Sequence, residues 1–212
     1  MASRVGLVAA LALVSAVVAT STAARPPPKG TAIYVVRVDK RLCPSPLCGG
    51  YWVAIANGAR TRCANGLRYP QCYVARAVNA SGTQLDDSAE GSLVLGAMDL
   101  GHDDLGELGV SAVYAPAGEA RRSGRFYRLV DTGIRCVRAP CFSTRASRLN
   151  RPYRTTISGL VLSTLRSDEA LETGVLAALA TRNGVLALGR IESTPDGGRV
   201  FHASRFYLRS QR

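Results

Sequence analysis

Lysine is nearly missing from this chain. Lys29 and Lys40 are the only two, so a formal charge of +12 is carried almost wholly by arginine. A GC-rich genome produces that bias by itself; attraction to an acidic polymer is the functional alternative. Histidine is equally scarce, with only His102 and His202. A Ser-His-Asp triad or a histidine metal site would have to be built on one of them. Aromatic residues make up 6% of the chain, with one tryptophan. The arginines are spread along the sequence, and Arg121-Arg122-Ser123-Gly124-Arg125 is the densest group. Dispersed charge with few aromatics argues against a dedicated nucleic-acid site, so no nucleic-acid partner is expected. The Gly-x-Ser-x-Gly elbow, the His-Glu-x-x-His helix and the phosphate-binding glycine loop are also missing. The 47% hydrophobic content excludes a disordered chain.

What is present begins with an export signal. Arg4 precedes an apolar run from Val5 to Ala19, and small residues follow through Ala24. A charged start, a short apolar stretch and a small-residue site define a cleavable secretory signal. Residues 1–24 are therefore expected to be removed, with cleavage after Ala23 or Ala24. The run is shorter than the roughly 20 residues that span a bilayer, and no second run of spanning length follows. The expectation is a secreted or periplasmic protein with no membrane span after cleavage. Residues 25–31 hold Pro26-Pro27-Pro28 and read as an extended spacer.

Six cysteines follow the signal: Cys43, Cys48, Cys63, Cys72, Cys136 and Cys141. An even number in an exported chain reads as disulfides. Their arrangement points to an internal duplication. Tyr34-Val35-Val36-Arg37-Val38-Asp39 leads to a Cys-x₄-Cys loop, and Phe126-Tyr127-Arg128-Leu129-Val130-Asp131 leads to another. The tripeptide Arg-Phe-Tyr recurs at 125–127 and 205–207 and aligns the two ends. A period of roughly 90 residues is too long for a solenoid and suits two small halves. If 32–125 and 126–212 fold separately, Cys136 pairs with Cys141. By position Cys43 then pairs with Cys48, which leaves Cys63 with Cys72. The oxidising compartment argues against zinc on these thiols, so no metal and no cofactor is expected.

Each half reads as β-loop-β-β-α-β-β. Val35 to Val38, Tyr51 to Ala56, Tyr73 to Val78 and Thr156 to Leu162 are expected strands, with Asn57-Gly58 a hairpin turn signal. Asp168 to Thr181 is the clearest helix, with Ser167 as its N-cap and Asn183-Gly184 as its stop. Ser88 to Met98 is its expected counterpart, started by Asp86-Asp87. The fold class expected is α+β: two related antiparallel-sheet halves, each with one helix, packed with pseudo-twofold symmetry.

The segment Gly133-Ile134-Arg135-Cys136-Val137-Arg138-Ala139-Pro140-Cys141-Phe142-Ser143, with Leu149-Asn150 downstream, resembles an uncharacterised domain of exported bacterial proteins. That domain is marked by Gly-Ile-x-Cys-x-x-x-Pro-Cys-x-Ser and a Leu-Asn pair. Cys43-Pro44-Ser45-Pro46-Leu47-Cys48-Gly49-Gly50 is similar to its companion motif. The resemblance covers most of residues 34–212 and implies an exported bacterial protein without implying a reaction.

Few constellations carry chemistry. Asp99-Leu100-Gly101-His102-Asp103-Asp104 lacks EF-hand spacing and reads as a solvated acidic turn. His202 sits in an expected strand and reads as structural. Asn79-Ala80-Ser81 matters only in a glycosylating host. The candidate binding loop is Val137-Arg138-Ala139-Pro140, held rigid by its flanking cysteines. Such a loop can enter a protease cleft as a substrate mimic, with Arg138 in a trypsin-like pocket. The first loop has Ser45-Pro46 instead, so the two would not share a target. No catalytic residue is assigned. The expected function is a non-enzymatic exported binding or structural protein, with a protein or an acidic cell-surface polymer as partner. A serine protease inhibitor and a polyanion-binding envelope protein are the alternatives.

Overall fold

The computed structural model describes residues 30–101, 105–118, 124–162 and 168–210. The expected signal segment, most of the spacer, His102, Asp103, Asp104, Arg121 to Ser123 and Ser167 lie outside these residues.

The first half contributes β1 (Ala32–Val38), β2 (Tyr51–Ile55), β3 (Thr61–Arg62), β4 (Arg68–Tyr69), β5 (Cys72–Val74), β6 (Arg76–Asn79), β7 (Leu93–Asp99) and β8 (Glu107–Ala117). The second contributes β9 (Arg125–Asp131), β10 (Thr144–Arg148), β11 (Arg154–Ile157), β12 (Gly159–Val161), helix α1 (Glu169–Leu179), β13 (Val185–Ser193) and β14 (Arg199–Arg209). Twelve strands form one sheet along the path β11-β10-β9-β13-β14-β8-β7-β1-β2-β5. β12 adds beside β14 and β6 beside β8, both parallel. The remaining pair, β3 and β4, is a separate small ladder.

The wiring of the two halves is the same. β1 pairs β2 and β7, as β9 pairs β10 and β13. Both long hairpins slip register at a glycine, Gly96 in β7 and Gly189 in β13. A side chain at either would press on backbone: a Cβ would lie 2.5 Å from the Gly109 oxygen or 2.3 Å from the His202 oxygen. One constant spacing relates Ile33 to Phe126, Tyr34 to Tyr127, Cys43 to Cys136, Asn57 to Asn150 and Gly96 to Gly189. This register corrects the sequence alignment by one residue, since Tyr34 answers to Tyr127 and not to Phe126. The shared Arg-Phe-Tyr is coincidental in position: one copy lies in β9 and the other in β14.

The α+β expectation is wrong. The protein is predominantly antiparallel β, in one continuous sheet, and α1 is the only α-helix among the described residues. Ser88 to Met98 is not a helix. A single 3₁₀ turn at Asp87–Ala89 is capped by Asp86, and Gly91 turns the chain with φ of +71° into β7. Leu93 and Val94 are both fully buried, on opposite faces of a strand set between β1 and β8. A strand covered on both faces reads as an unbroken apolar run, which periodicity does not separate from a buried helix. Nor do the halves pack as separate bodies. They join edge to edge where β8 pairs β14 from Ala117↔Phe206 to Tyr114↔Arg209.

The expected helix does form in the second half, with Asp168 as N-cap accepting from the Leu171 N–H at 3.0 Å. Its inward face, Leu171, Val175, Ala178 and Leu179, packs on Phe201, Phe206 and Leu129. The first half has its own core of Tyr34, Val36, Val53, Val74 and Leu108. A third cluster, with Ile33, Leu93, Tyr114, Leu186 and Tyr207, takes residues from both halves.

That shared core is enclosed by two reciprocal side-chain clasps. Asn150 accepts from the Ile33 N–H (3.0 Å) and donates to the carbonyls of Ile33 (2.7 Å) and Ala56 (3.0 Å). Asn57 accepts from the Phe126 N–H (2.9 Å) and donates to the carbonyls of Phe126 (2.8 Å) and Leu149 (3.0 Å). Each asparagine thus plugs the amide groups at the strand starts of the opposite half. Because β1 and β9 lie at the two ends of the run β9-β13-β14-β8-β7-β1, these bonds curl the sheet onto itself. Both residues hold left-handed backbone, with φ of 63° and 53°, a region asparagine tolerates better than most. The expected Asn57-Gly58 hairpin turn is this clasp.

Asn150→Ala removes three hydrogen bonds and places alanine at positive φ. The expected loss is about 3 kcal/mol in urea denaturation, and Asn150→Gly loses roughly 1 kcal/mol less because it relieves the backbone strain. Equal stability of the alanine variant and the parent would show that the clasp is dispensable.

Candidate functional site

A cleft of about 890 Å³ lies against the shared core. Its position follows from strand alternation. On β1, Tyr34 and Val36 point into the first-half core, so Val35 and Arg37 face the cleft. On β2, Trp52 and Ala54 do the same, and on β14 Arg205 and Tyr207 follow. The start of β9 adds Arg125 and Phe126; the β10 end and the turn beyond it add Arg148 and Arg151. Five arginines from both halves therefore line one cleft with a single carboxylate, Glu90. Glu90 is already used: its Oε2 accepts from the Val38 N–H at 2.7 Å.

None of the five arginines is ion-paired among the described residues. Arg37 donates to Gln71 Oε1 at 2.9 Å. Arg151 donates to the Asn57 carbonyl, which ties it to the clasp. Arg148 lies over Tyr153 at 4.6 Å and Tyr127 at 5.7 Å. The Nε atoms of Arg148 and Arg205 are buried and have no hydrogen-bond partner among the described residues. A buried cationic donor without an acceptor is unfavourable, and the remaining N–H groups of these guanidinium ions are what a cleft ligand could meet. The walls between are apolar, with Val35, Phe126, Leu188 and the only tryptophan of the chain, Trp52. Among the described residues no histidine, cysteine, serine or threonine lines the cleft.

The disulfides join Cys43 to Cys48, Cys63 to Cys72 and Cys136 to Cys141. The two Cys-x₄-Cys loops lie beyond β1 and β9 and do not line the cleft. An Asp–Arg pair anchors each. In the first, Arg41 meets buried Asp39 at 2.9 Å, covers Trp52 and Tyr73, and donates to the Leu47 carbonyl. In the second, Arg135 meets Asp131 at 2.7 Å. Val137, Arg138 and Ala139 are exposed at the tip of that loop and Pro140 is half-buried. Of the two histidines, His202 is on β14 with its Nε2 3.2 Å from Glu192 Oε2, and no other acid–base pair accompanies it in the hydrogen bonds described. Asp86 caps the 3₁₀ turn, and Asn79 Oδ1 accepts from the Ser81 N–H within its own turn.

Sequence reasoning missed the cleft. Its arginines come from four distant places in the chain, Arg37, Arg125, the Arg148–Arg151 pair and Arg205, and only the fold brings them together. The one available signal was alternation, in which Ile33, Val35 and Arg37 share a face, but it says nothing about what stands opposite.

The Arg135 hydrogen bond and the Gly133 N–H together hold the Asp131 carboxyl at about 2, below its ordinary 3.8. A group with a depressed folded pKa contributes stability above its unfolded pKa and loses it as pH falls through the folded value. Asp131→Asn is therefore expected to unfold at lower urea than the parent at pH 6. The gap should close between about pH 4 and pH 2. A gap constant across that window would show that the Asp131 charge does not stabilise the loop.

Comparison with known families bears on the whole domain. No curated protein matches the chain, and no solved structure does. A family profile described as Domain of unknown function (DUF6748) matches residues 32–212, which take in every strand and the helix described above. This chain therefore belongs to the DUF6748 family, a family without an assigned function.

Proposed function

We propose that this protein is a non-enzymatic binding module that takes an anionic ligand in the arginine-lined cleft. The observation that carries the reading is the set of five arginines, Arg37, Arg125, Arg148, Arg151 and Arg205, that line one cleft without an ion pair and face one engaged carboxylate among the described residues. Guanidinium groups bind sulfate, phosphate or carboxylate through paired N–H donors. Among the described residues the lining offers no nucleophile–histidine pair, which favours binding over catalysis. Export belongs to the same proposal, supported by three disulfides and by the signal-like first 24 residues. The protease-inhibitor reading has only the exposure of Arg138 in its favour.

Trp52 provides the assay, since it is the only tryptophan and lies in the cleft wall. Titration with a sulfated heparin disaccharide at low salt should give a saturable change in tryptophan fluorescence. Arg205→Gln should weaken that binding about tenfold or more, the worth of one charge-assisted hydrogen bond. A flat titration, or an Arg205→Gln variant that binds as tightly as the parent, would remove the proposal. For export, protein secreted by an expressing bacterium should begin at Ala24 or Arg25 by N-terminal sequencing. Retention of Met1 in the cell fraction alone would overturn that part.

A further inference from the structure

We infer that the cleft is one end of a longer trough and that its ligand is an extended acidic polysaccharide, not a single small anion. This rests on the anionic reading of the cleft given above. A second depression of about 600 Å³ adjoins the first and shares Gly124, Arg125 and Arg148 with it. Its far side carries Tyr127, Tyr153, Arg190 and Arg199. No side chain rises between the two depressions at Gly124. That residue has φ of +123°, and a Cβ there would lie 2.3 Å from the Gly189 carbonyl oxygen. The saddle is therefore floored by backbone and flanked by Arg125 and Arg148, the latter with its unpartnered Nε.

The trough thus presents guanidinium groups in succession from Arg37 and Arg205, past Arg125 and Arg148, to Arg199 and Arg190. Of these only Arg190 has a carboxylate partner among the described residues, Glu192. A row of cations along a groove matches a ligand whose negative charges recur along a chain. The aromatic surfaces decide between two such ligands. Arg41 covers Trp52, Arg148 covers Tyr153 and Tyr127, and Arg199 covers the neighbouring Phe142. Single-stranded nucleic acid binds by stacking bases on open aromatic faces. Here Trp52, Tyr127 and Tyr153 each carry a guanidinium over one face, and Phe126 and Tyr207 pack against each other, which leaves recognition to the acidic substituents. A sulfated or carboxylated sugar chain has its charge there.

The test uses heparin oligosaccharides of two, six and ten sugars against the whole exported chain, read by Trp52 fluorescence and calorimetry. Affinity should rise at least tenfold from disaccharide to hexasaccharide and then level off. Arg199→Gln should cost the hexasaccharide about tenfold, leave the disaccharide unchanged, and lower the salt slope of log K by about one. Arg190→Gln, at an exposed side chain, repeats the measurement should Arg199→Gln fold poorly. Disaccharide binding that gains nothing with length overturns the trough and leaves the cleft reading intact. Failure of every sulfated probe to bind overturns both. A single-stranded oligothymidylate of equal charge binding as tightly as the hexasaccharide overturns the assignment to polysaccharide.

Discussion

The amide groups of Asn57 and Asn150 hold the long sheet closed. The other inter-half contact, β8 against β14, is an edge-to-edge ladder that would by itself leave an open, twisting ribbon of strands. The two asparagines fold that ribbon over so that β1/β2 and β9/β10 face one another across the shared core. Each side chain supplies one acceptor and two donor bonds, the full hydrogen-bonding capacity that a strand end presents to a neighbour. The bonds are reciprocal, so losing either one opens the same seam. The cleft depends on this seam directly: Arg151 rests on the Asn57 carbonyl, and Phe126 lines the cleft while bonding to the Asn57 amide.

A repeated framework carries a site that is not repeated. At the constant spacing that relates the halves, Arg205 answers to Ala112, Arg37 to buried Val130, and Arg151 to Gly58. Trp52 answers to Arg145. The wiring, the glycine slips and the clasps recur, while the charged lining is built at positions where the copies differ. Helix α1 follows the same pattern, since it covers one half and a single 3₁₀ turn stands in its place in the other. Structural positions are thus held in common and cleft-facing ones are not.

Parts of this were legible in the sequence because they are local. The Cys-x₄-Cys loops, the strand before each and the helix from Asp168 all depend on neighbours within a few residues; the helix ends at Leu179, before the Asn183-Gly184 stop read from the sequence. Residues Leu93 to Met98 were misread because burial on both strand faces erases the alternation that identifies a strand. Arg-Phe-Tyr misled because three residues fit equally well in β9 and β14. Asn57 carried a correct local signal, left-handed backbone, that was assigned to the commonest cause, a hairpin turn. Its partners at Phe126 and Leu149 are far off in sequence, and no local rule reaches them. The cleft was least legible, being lined from β1, β9 and β14, strands distant in sequence that do not pair with one another.

Every disulfide closes a short loop inside one half. Cys43–Cys48 and Cys136–Cys141 each span five residues and Cys63–Cys72 spans nine. No covalent bridge crosses from one half to the other among these three. The union of the halves is consequently not held by these bridges, while the cleft touches one of them through Gln71, which stands beside Cys72 and bonds to Arg37. Reducing agents would loosen the loop tips and the β3–β4 arm while leaving the seam to its amides. Closure of the seam can therefore run ahead of bridge formation.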